Sequence, residues 1–440
     1  MNLPHNLPDW LTWIKARQVK DYHSRRIREG DEPLVMGGAV SELGITDPLF
    51  PIITVTGTKG KGSTVAMLES ILLAGGYRVG AYTSPHYIKY NERIRIQGED
   101  VSDEELCKNF KKIAQTRIPL GIFEFFTLAG MMLFRDEKID VALLEVGSGG
   151  INDPVNSWDA DVGIITLIGL DEPWLLGYTR EKQGWNKSGI FRKGKPAICS
   201  EINPPFSIRE TTLEIGAIPY QLGKQFHYSS RKGKWAWREN GGRTFKNLPY
   251  PGLPGEHQLS NASAVLMALE TLQDRLPVGI DAIQSGLEEV SLPAHFQIFP
   301  GEPEIILNVT TNAQSSASLS PLLRYRPASG KTIAVLGLYH YNPAGEVGRN
   351  LEEVIHSWYL GTLPPEKGLE SSQLEKFLRE GGISDIHSYD TPLESYEGAL
   401  ARARKEDRII VMGVPEFLRP IMKKLSSSQK HVDVSAQGGS

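Results

Sequence analysis

The pattern of apolar and polar positions is clearest between residues 51 and 84. Residues 52–55 are apolar and mostly β-branched, which predicts a short buried strand. Apolar positions then recur at helical spacing over residues 65–73 and stop at a pair of glycines, which predicts a helix. Another apolar run, residues 77–82, predicts a second strand. The order strand, helix, strand predicts a βαβ unit around the intervening residues 57–64.

Similar patterns continue along the chain. Residues 140–146 and 161–168 are continuous apolar segments separated from their neighbours by helical patterns, which is typical of strands in a parallel sheet. Near the N-terminus, residues 10–28 predict a leading helix with a basic, solvated face. The other predicted elements are an exposed strand (91–96), helices (104–114, 123–134 and 258–272), a strand (195–199) and an antiparallel hairpin (226–245).

A concentration of proline and turn residues at 293–303 predicts a domain boundary. Beyond it, strand patterns alternate again with helical stretches. We therefore expect an α/β protein with a central, mostly parallel sheet in a first domain, residues 1–297, and a smaller α/β domain, residues 298–425. The polar residues 426–440 are predicted to form a disordered tail.

Composition narrows the classes of protein to which the chain can belong. Its 440 residues carry a formal net charge of −4, which gives no indication of a general nucleic-acid-binding protein. Cys107 and Cys199 are too few for a disulfide framework and fit a reducing compartment. No segment has the apolar core of a signal peptide or the length of a membrane span. We expect a cytoplasmic protein that interacts with neither membranes nor nucleic acid and, without coiled-coil heptads, a monomer.

The loop at residues 57–64 carries the clearest candidate chemistry. Its residues are Gly57, Thr58, Lys59, Gly60, Lys61, Gly62, Ser63 and Thr64. Backbone N–H groups of such a loop, at the positive end of a helix, can cradle phosphate oxygens. Lys61 would add a full positive charge, and the Ser63 hydroxyl would reach a Mg²⁺ ion. The loop is therefore a candidate site for a nucleotide and its metal.

This loop is a variant of the strict P-loop pattern, which has glycine at the position of Val55 and serine or threonine at that of Gly62. The alternative is a glycine-rich turn that binds no ligand. A strand before the loop, a helix after it and two lysines within it favour the nucleotide site.

Five segments in one order resemble a known family. They are residues 57–63 (GTKGKGS), 84–86 (SPH), 145–150 (EVGSGG), 186–191 (NKSGIF) and 257–262 (HQLSNA). Together they resemble the folylpolyglutamate synthase/dihydrofolate synthase branch of the Mur ligase superfamily, over nearly the whole chain. The resemblance implies a Mur-ligase-like P-loop domain followed by a Rossmann-like ligase domain.

The resemblance also implies an ATP-dependent ligase that joins an amino acid such as glutamate to a folate-type carboxylate by way of an acyl phosphate. Lys61 and the loop amides would hold the ATP phosphates. Mg²⁺ prefers hard oxygen ligands, which Ser63, Ser84 and Glu145 could supply from strand ends that meet at one edge of the sheet. Lys187 matches a lysine that family members carbamylate, and the modified side chain would bridge to a second Mg²⁺.

Other residues match family positions around the substrates. His86, a further candidate catalytic residue, and residues 91–93 would line the acyl-substrate side. Phe123, Glu124 and Thr127 match a stretch near the pterin-side pocket.

Gln258 and Asn261 share a helical face and match residues near the nucleotide, although isolated amides of this kind more often lie on a helix surface. Ordinary structural roles exist for two other candidates as well: Glu145 could cap a helix, and Lys187 could be a surface lysine. The glycines that follow Glu145 allow backbone to approach a ligand and favour the metal role.

Several positions depart from the family pattern at polar groups around the nucleotide and metal. Lys59 replaces an Asn, Ile151 an Arg, Glu172 a magnesium-binding His, His295 a phosphate-contacting Arg and Asn308 an Asp. Glu172 could still bind Mg²⁺, because the ion is hard. Loss of a carboxylate at Asn308 should weaken contacts to ribose hydroxyls. His295 and Asn308 remain candidate nucleotide contacts, and Glu172 a candidate metal ligand.

Three functions remain open: a working folate-type ligase, a ligase repurposed for another carboxylic acid, and a non-catalytic relative that binds a ligand or partner. The phosphate- and metal-binding residues are present, which argues against the third function. Residues 308–313 lack both the Asp and the His of the family motif, which argues against the first. A P-loop motor or GTPase is disfavoured because no guanine-binding Asn-Lys-x-Asp motif follows a strand. We expect an ATP- and Mg²⁺-dependent acid–amino-acid ligase with folate as its leading substrate.

Overall fold

Residues 3–17, 36–231, 233–311, 313–340, 343–366 and 368–437 are described by the computed structural model of the chain. The chain divides into two units. The first comprises Met1–His86, Tyr90–Gly252 and Glu256–Ser291, and the second comprises Tyr87–Lys89, Leu253–Gly255 and Leu292–Ser440.

The first unit contains strands and helices in alternation. Its strands are β1 (Ile52–Thr56), β2 (Val79–Tyr82), β3 (Ile94–Ile96), β4 (Glu99–Asp100), β5 (Val141–Glu145), β6 (Val162–Ile165), β7 (Pro196–Cys199), β8 (Ile218–Gln221), β9 (Phe226–Arg231), β10 (Lys234–Glu239) and β11 (Thr244–Pro249). Its α-helices are α1 (Leu7–Arg17), α2 (Gly37–Glu42), α3 (Lys61–Ala74), α4 (Asp103–Gln115), α5 (Ile122–Asp136), α6 (Pro173–Leu176), α7 (Arg180–Ser188), α8 (Phe206–Ile215), α9 (His257–Thr271) and α10 (Ile280–Glu289).

Eight of these strands form one sheet in the order β4-β3-β2-β5-β1-β6-β7-β8. Neighbours from β2 to β8 are parallel, whereas β3 and β4 are joined antiparallel at one edge. The strands β1, β2, β5 and β6 are buried along their whole length. Burial on both faces explains why they appear in the sequence as continuous apolar runs. The predicted α/β class with a central, mostly parallel sheet is confirmed.

Strands β9, β10 and β11 form a separate antiparallel sheet. The indole N–H groups of two buried tryptophans hold it in place: Trp235 Nε1 donates to Pro249 O at 2.7 Å, and Trp237 Nε1 donates to Ser263 O at 3.1 Å. The hairpin predicted at residues 226–245 therefore exists and is extended by a third strand.

Helix α3 begins directly after β1 and the loop at residues 57–60, and its apolar side chains are buried around most of its circumference. It packs against α9 and α10. Gly286 of α10 lies so close that an added Cβ atom would be 2.5 Å from Ile71 Cα of α3. This close backbone approach fixes where α3 lies on the sheet.

The second unit has its own sheet. Its strands are β12 (His295–Phe299), β13 (Glu304–Val309), β14 (Thr332–Gly337), β15 (Ser357–Gly361), β16 (Ile386–Tyr389) and β17 (Arg408–Gly413). Its helices are α11 (Ala313–Tyr325), α12 (Ala344–Leu351), α13 (Ser371–Glu380), α14 (Pro392–Arg402) and α15 (Pro415–Gln437). The strand order is β12-β13-β17-β14-β15-β16, and every pairing is parallel except that of β12 with β13.

The boundary predicted after residue 297 falls inside β12. Because β12 pairs with β13 over the register that places His295 opposite Asn308, the whole strand belongs to the second unit. Apart from the two short segments Tyr87–Lys89 and Leu253–Gly255, that unit comprises the chain from Leu292 onward.

The strand predicted at residues 91–96 is wrong in its first half. Tyr90–Arg93 form a 3₁₀ helix, and only Ile94–Ile96 are a strand, with Ile94 fully buried. The cause is the Asn91 amide, which donates to Val101 O at 2.8 Å and to the Asp103 carboxylate at 2.9 Å and so holds this segment in a turn.

The two ends of the chain can be compared with the predicted leading helix and the predicted disordered tail. The leading helix is Leu7–Arg17, and the basic run predicted after it lies within residues 18–35, outside the described residues. The last helix, Pro415–Gln437, enters the segment for which a disordered tail is predicted, and residues 438–440 lie outside the described residues. Among the helices described here, none combines the length and hydropathy needed to cross a bilayer.

We predict that Gly286→Ala lowers the free energy of unfolding by about 2 kcal/mol, because the new methyl group would force α10 and α3 apart. Urea unfolding measures this change. The matched control is Gly279→Ala at the start of the same helix, where a Cβ atom would meet nothing within 4 Å. That variant should change stability by about 1 kcal/mol or less. Equal losses in the two variants would contradict the close packing of α3 and α10.

Candidate active site

The loop after β1 is built on backbone conformations that favour glycine. Gly57 has a φ of 147° and Gly60 a φ of 96°. A Cβ atom at Gly57 would lie 1.8 Å from Thr166 Oγ1, and one at Gly60 would lie 2.7 Å from Asn261 Oδ1. Gly60 is the N-cap of α3, and no side chain caps this helix end. The loop therefore presents the uncapped, positive end of α3, which suits a phosphate group.

The rest of the loop is held by hydrogen bonds to the segment that follows β6. Thr58 N donates to Leu167 O at 2.7 Å, and the Thr58 hydroxyl exchanges hydrogen bonds with the backbone of Gly169. Thr64 N donates to Gly60 O at 2.9 Å, so that Gly62, Ser63 and Thr64 form the first turn of α3.

Two lysines meet at one backbone oxygen. Lys61 Nζ donates to Gly57 O at 3.0 Å, and Lys187 Nζ donates to the same oxygen at 3.3 Å. Lys61 is the first residue of α3 and partly buried, rather than a residue of an exposed loop. Lys187 comes from α7 and is fully buried. Two cations at one carbonyl leave positive charge that an anionic ligand would neutralise.

Burial, reinforced by the charge of Lys61, lowers the pKa of Lys187 to about 7. Asp171, Glu172 and Asp153 act in the opposite direction and favour the charged form. A side chain with this pKa is partly neutral at physiological pH, in contrast to an ordinary surface lysine.

Lys59 is the third lysine of this cluster. Burial lowers its pKa to about 8, Asp171 raises it and Lys61 lowers it. The family resemblance implies an Asn at this position. Lys59 therefore adds positive charge beside Lys61 that the family pattern does not have.

Ser63 is linked to α9. Its hydroxyl oxygen accepts a hydrogen bond from Gln258 Nε2 at 3.2 Å, and Gln258 Oε1 in turn accepts one from Asn261 Nδ2 at 2.9 Å. All three side chains are buried, so the two amides are not on the helix surface. The structure therefore brings together these three predicted residues beside Gly60.

Glu145 ends β5, the strand next to β1, and lies opposite Val55. One of its carboxylate oxygens accepts a hydrogen bond from Ser84 N at 3.1 Å. Burial raises the pKa of Glu145 to about 7, against the nearby charges of Lys61, Arg95 and Arg93. A divalent cation at this carboxylate would favour its charged form.

Glu172 lies at the start of α6 and accepts a hydrogen bond from the Ser148 hydroxyl. Its backbone has a φ of 42°, and the side chain contributes to the field at Lys187. The carboxylate thus faces the loop that follows Glu145. The family pattern has a His instead of a Glu at this position.

In the described part of the chain, no three or more His, Cys, Asp or Glu side chains form a group that could hold a metal ion. The predicted magnesium set is of a different kind, because it combines the hydroxyls of Ser63 and Ser84 with the carboxylate of Glu145. Such hard oxygens fit Mg²⁺, which also keeps several waters and binds phosphate oxygens. The donor set therefore fits a Mg²⁺–nucleotide.

His86 lies in an aromatic cluster. Its ring centroid is 3.9 Å from that of Tyr90, and its Nδ1 accepts a hydrogen bond from Arg93 Nε at 3.2 Å. The Arg93 guanidinium also lies near the rings of Phe123 and Phe126. Planar rings and a guanidinium can hold a flat heterocycle. A catalytic role for His86 stays a prediction.

The same cluster continues into α5. Thr127 Oγ1 donates to Phe123 O at 2.8 Å and contacts Tyr82 Oη at 3.0 Å, and Glu124 is fully buried. The place of these residues near a pterin-side pocket stays a prediction.

His295 and Asn308 belong to the second unit. The Asn308 amide is engaged locally: it accepts from Phe296 N at 3.0 Å and donates to Val309 O and to Thr310 Oγ1. These bonds stabilise the irregular pairing of β12 with β13. His295 Nδ1 lies 2.9 Å from Pro293 O. The roles of His295 and Asn308 in nucleotide binding stay predictions. Asn308 also has a structural role at the pairing of β12 with β13.

Ile151 occupies a position where the resemblance implies an Arg. Its side chain packs on α7, because a Cβ atom at Gly189 would lie 2.2 Å from Ile151 Cγ1. Its N–H donates to Asn186 O at 3.2 Å. This position contributes packing next to Lys187 and no charge.

Asp153 is a functional residue that the sequence analysis missed. Its buried carboxylate accepts hydrogen bonds from the N–H groups of Gly147 and Ser148 at 2.9 and 3.0 Å and from Val155 N at 3.0 Å. It therefore fixes the loop after Glu145. The signal was present, since an Asp followed by Pro154 is a typical helix N-cap.

Gln183 was missed as well. Its fully buried amide accepts from Asp171 N at 3.2 Å and donates to Asp171 O at 2.7 Å and to Gly177 O at 3.1 Å. It holds the loop that carries Glu172. No sequence pattern marks such a long-range amide.

The chain is similar to known proteins over most of its length. It is 36% identical to dihydrofolate synthase/folylpolyglutamate synthase of Escherichia coli K12 over 423 residues, which are 96% of each chain. It is 32% identical to the protein of the same name from Haemophilus influenzae over 429 residues, 92% of this chain and 94% of that one. The chain matches no protein-family model.

Solved structures agree with these relatives. E. coli FolC in complex with DHPP and ADP has a TM-score of 0.86 and 34% identity, with 97% of this chain and 99% of that one covered. A bifunctional folylpolyglutamate synthase/dihydrofolate synthase with Mn, AMPPNP and L-glutamate bound has a TM-score of 0.85 and 33% identity, with 96% and 98% covered. Identity of this extent over nearly the full length decides the family: the chain belongs to the dihydrofolate synthase/folylpolyglutamate synthase family.

Proposed function

We propose that this protein is an ATP- and Mg²⁺-dependent ligase that joins glutamate to a folate-type carboxylate. Two observations support the proposal: the relatives are dihydrofolate synthase/folylpolyglutamate synthases, and the similar structures contain ADP, AMPPNP or L-glutamate. The observation that carries it is the meeting of Lys61 and Lys187 at Gly57 O, at the uncapped end of α3. Two lysine side chains at a helix N-terminus, one partly and one fully buried, are suited to a polyphosphate.

The nucleotide phosphates would be held by the loop at residues 57–64. The N–H groups of the first turn of α3, with Lys61 and Lys59, would neutralise their charge. When bound, ATP supplies the phosphoryl group that activates the substrate carboxylate. The loop's part is positioning and charge neutralisation, which are the main needs of phosphoryl transfer.

The magnesium ion would be held by Ser63, Ser84 and Glu145. Gln258 fixes the Ser63 hydroxyl, and Ser84 N fixes one oxygen of Glu145. Glu172, which Ser148 holds, would serve as a further hard ligand in place of the family's His.

Lys187 is suited to carbamylation. In that reaction the neutral amine attacks CO₂, a bond forms between Nζ and carbon as one C–O π bond is lost, and one proton leaves to solvent, so that the neutral amine becomes a carbamate anion. A pKa near 7 supplies the neutral amine at physiological pH. The anionic side chain would bind a second Mg²⁺ beside Lys61.

The acyl substrate would lie along His86, Arg93 and Phe123. Their rings and the guanidinium form a planar, partly charged surface near Ser84. His295 and Asn308 stay candidate nucleotide contacts, with weaker charge than the family pattern has.

We further propose that the enzyme works in the cytoplasm as a monomer on small-molecule substrates, without nucleic acid. Two free cysteines and a net charge of −4 support this. The departures from the family pattern leave a ligase for another carboxylic acid and a non-catalytic protein as alternatives, which the following experiment separates.

We expect phosphate release from ATP only when Mg²⁺, 7,8-dihydropteroate and glutamate are all present. Coupled phosphate assays measure the rate, and calorimetry measures ATP binding. Lys61→Ala should lower the rate by about 100-fold or more, because it removes charge from the phosphates, and should change stability by about 1 kcal/mol or less.

The matched control is Lys108→Ala, an exposed lysine of α4, which should leave the rate unchanged. ATP binding without release would favour a different acid substrate, and absence of ATP binding would favour the non-catalytic alternative. An unchanged rate in Lys61→Ala would refute the P-loop assignment.

We expect Lys187→Ala to lose activity and to recover part of it when acetate or formate is added, because a small carboxylate can take the place of the carbamate. Initial rates at increasing carboxylate concentration measure the recovery. Lys61→Ala removes a positive charge, which an added carboxylate cannot replace, so this variant should show no recovery under the same conditions. If neither variant recovers, Lys187 has only a structural role.

We also expect Lys187→Met to raise the free energy of unfolding by about 1–3 kcal/mol at pH 7 without CO₂. Between a pH of about 7 and 10.5 the unfolded chain holds a proton on Lys187 that the folded chain lacks, so wild-type stability rises with pH there. The advantage of the variant should therefore shrink as pH rises through this window.

Urea unfolding at several pH values measures this difference. Lys182→Met, an exposed lysine on the same helix, is the matched control and should show neither the gain nor its pH dependence. A Lys187→Met variant less stable than wild type at pH 7 would show that the buried amine is a stabilising group.

A further inference from the structure

The second unit contains a cleft of about 510 Å³ at the amino-terminal edge of its sheet. Residues just before or within the first three residues of β14, β15 and β16 line it, and the end of α14 with the loop that leads to β17 completes it. The lining residues that matter here are Lys331, Asp385, His387, Arg402, Arg404 and Glu406.

Within the second unit, this cleft lies away from His295 and Asn308, the two candidate nucleotide contacts. Asn308 is opposite Met412, near the carboxyl ends of β13 and β17. Lys331 and Asp407, by contrast, immediately precede β14 and β17. Because these strands are parallel, the cleft lies at the amino-terminal ends of the strands and Asn308 at their carboxyl-terminal ends.

Three cations line the cleft: Lys331, Arg402 and Arg404. Among the residues that the structure describes, neither the Lys331 nor the Arg404 side chain makes a hydrogen bond or an ion pair. Arg402 Nη1 lies 3.2 Å and 3.1 Å from the two ring nitrogens of His387. All three side chains are on exposed residues, so a ligand can reach them.

Two of the three carboxylates in the lining are already engaged. The Asp407 carboxylate accepts from the backbone groups Lys331 N at 2.7 Å and Arg404 N at 2.8 Å, which brings the backbones of these two residues together. Asp385 Oδ1 lies 3.1 Å from His387 Nε2. Glu406 remains at the rim. The formal charges of the lining balance, three cations against three carboxylates, but neither Lys331 nor Arg404 is engaged in an ion pair among the described residues.

We propose that this cleft binds an organic anion that carries two or more phosphate or carboxylate groups. Arginine and lysine side chains bind both kinds of group by charge-assisted hydrogen bonds. The volume falls within the range of about 300–1,000 Å³ that is typical of small-molecule sites, well above what inorganic phosphate needs. The rings of Tyr359 and His387, whose centroids are 4.8 Å apart, belong to the lining. The proposal is independent of the ligase function.

The test is calorimetric titration of the full chain with citrate and, separately, with fructose 1,6-bisphosphate. AMPPNP and Mg²⁺ are present in excess so that the loop at residues 57–64 is occupied. We expect one of the two anions to bind with one site per chain. Arg404→Ala and Arg402→Ala should each weaken that binding by about tenfold or more.

Lys405→Ala is the matched control. Lys405 follows Arg404 directly, but its Nζ lies 3.3 Å from Glu302 Oε2 and it does not line the cleft. This variant should change affinity by about twofold or less, as expected for an exposed charge.

Three results would overturn the proposal. They are no binding of either anion, binding that the cleft variants leave unchanged, and equal weakening by Arg404→Ala and Lys405→Ala. Binding of citrate alone would assign the cleft to carboxylates, and binding of the bisphosphate alone would assign it to phosphates.

Discussion

The burial of positive charge around one carbonyl oxygen is the constraint on which the first unit depends. Lys61 and Lys187 both donate to Gly57 O, in surroundings that lower the pKa of Lys187 to about 7. Keeping cations together away from water costs free energy unless anions lie nearby. The surrounding architecture brings those anions, Glu145, Asp171 and Glu172, to the same edge of the sheet.

The sheet order makes this possible. Because β1 lies between β5 and β6 and all three are parallel, their carboxyl ends carry the loop at residues 57–60, Glu145 and the segment around Thr166 to one place. Two residues without direct ligand roles then hold the loops: Asp153 fixes the one after Glu145, and Gln183 fixes the one with Glu172. We infer that the precision of the site depends on these two as much as on the lysines.

The residues that depart from the family pattern have identifiable contacts in the structure. Ile151 packs against Gly189 and leaves no charge beside Lys187, whereas Lys59 adds a charge on the other side of Lys61. Asn308 stabilises the irregular pairing of two strands through three local hydrogen bonds. These positions are thus integrated into the packing of the two units, which is compatible with a ligase whose phosphate charge is balanced in a different way.

The sequence by itself determined the α/β class, the βαβ unit around residues 57–64 and the family. Each of these depends on local order: apolar runs predict buried strands, glycines mark the loop, and five short segments occur in one sequence order. Lys61, Ser63, Ser84 and Glu145 could be chosen for the same reason, since they follow directly from strand ends and loop positions.

Only the tertiary structure decided which distant groups meet. The sequence gives no sign that Lys187 shares an oxygen with Lys61, that Gln258 binds Ser63, or that a charged cleft forms at the amino-terminal edge of the second sheet. The turn at Asn91 was likewise misjudged, because a side-chain hydrogen bond overrides the local pattern. Such contacts join residues far apart in the chain, and the pKa of Lys187 follows from the burial that they create.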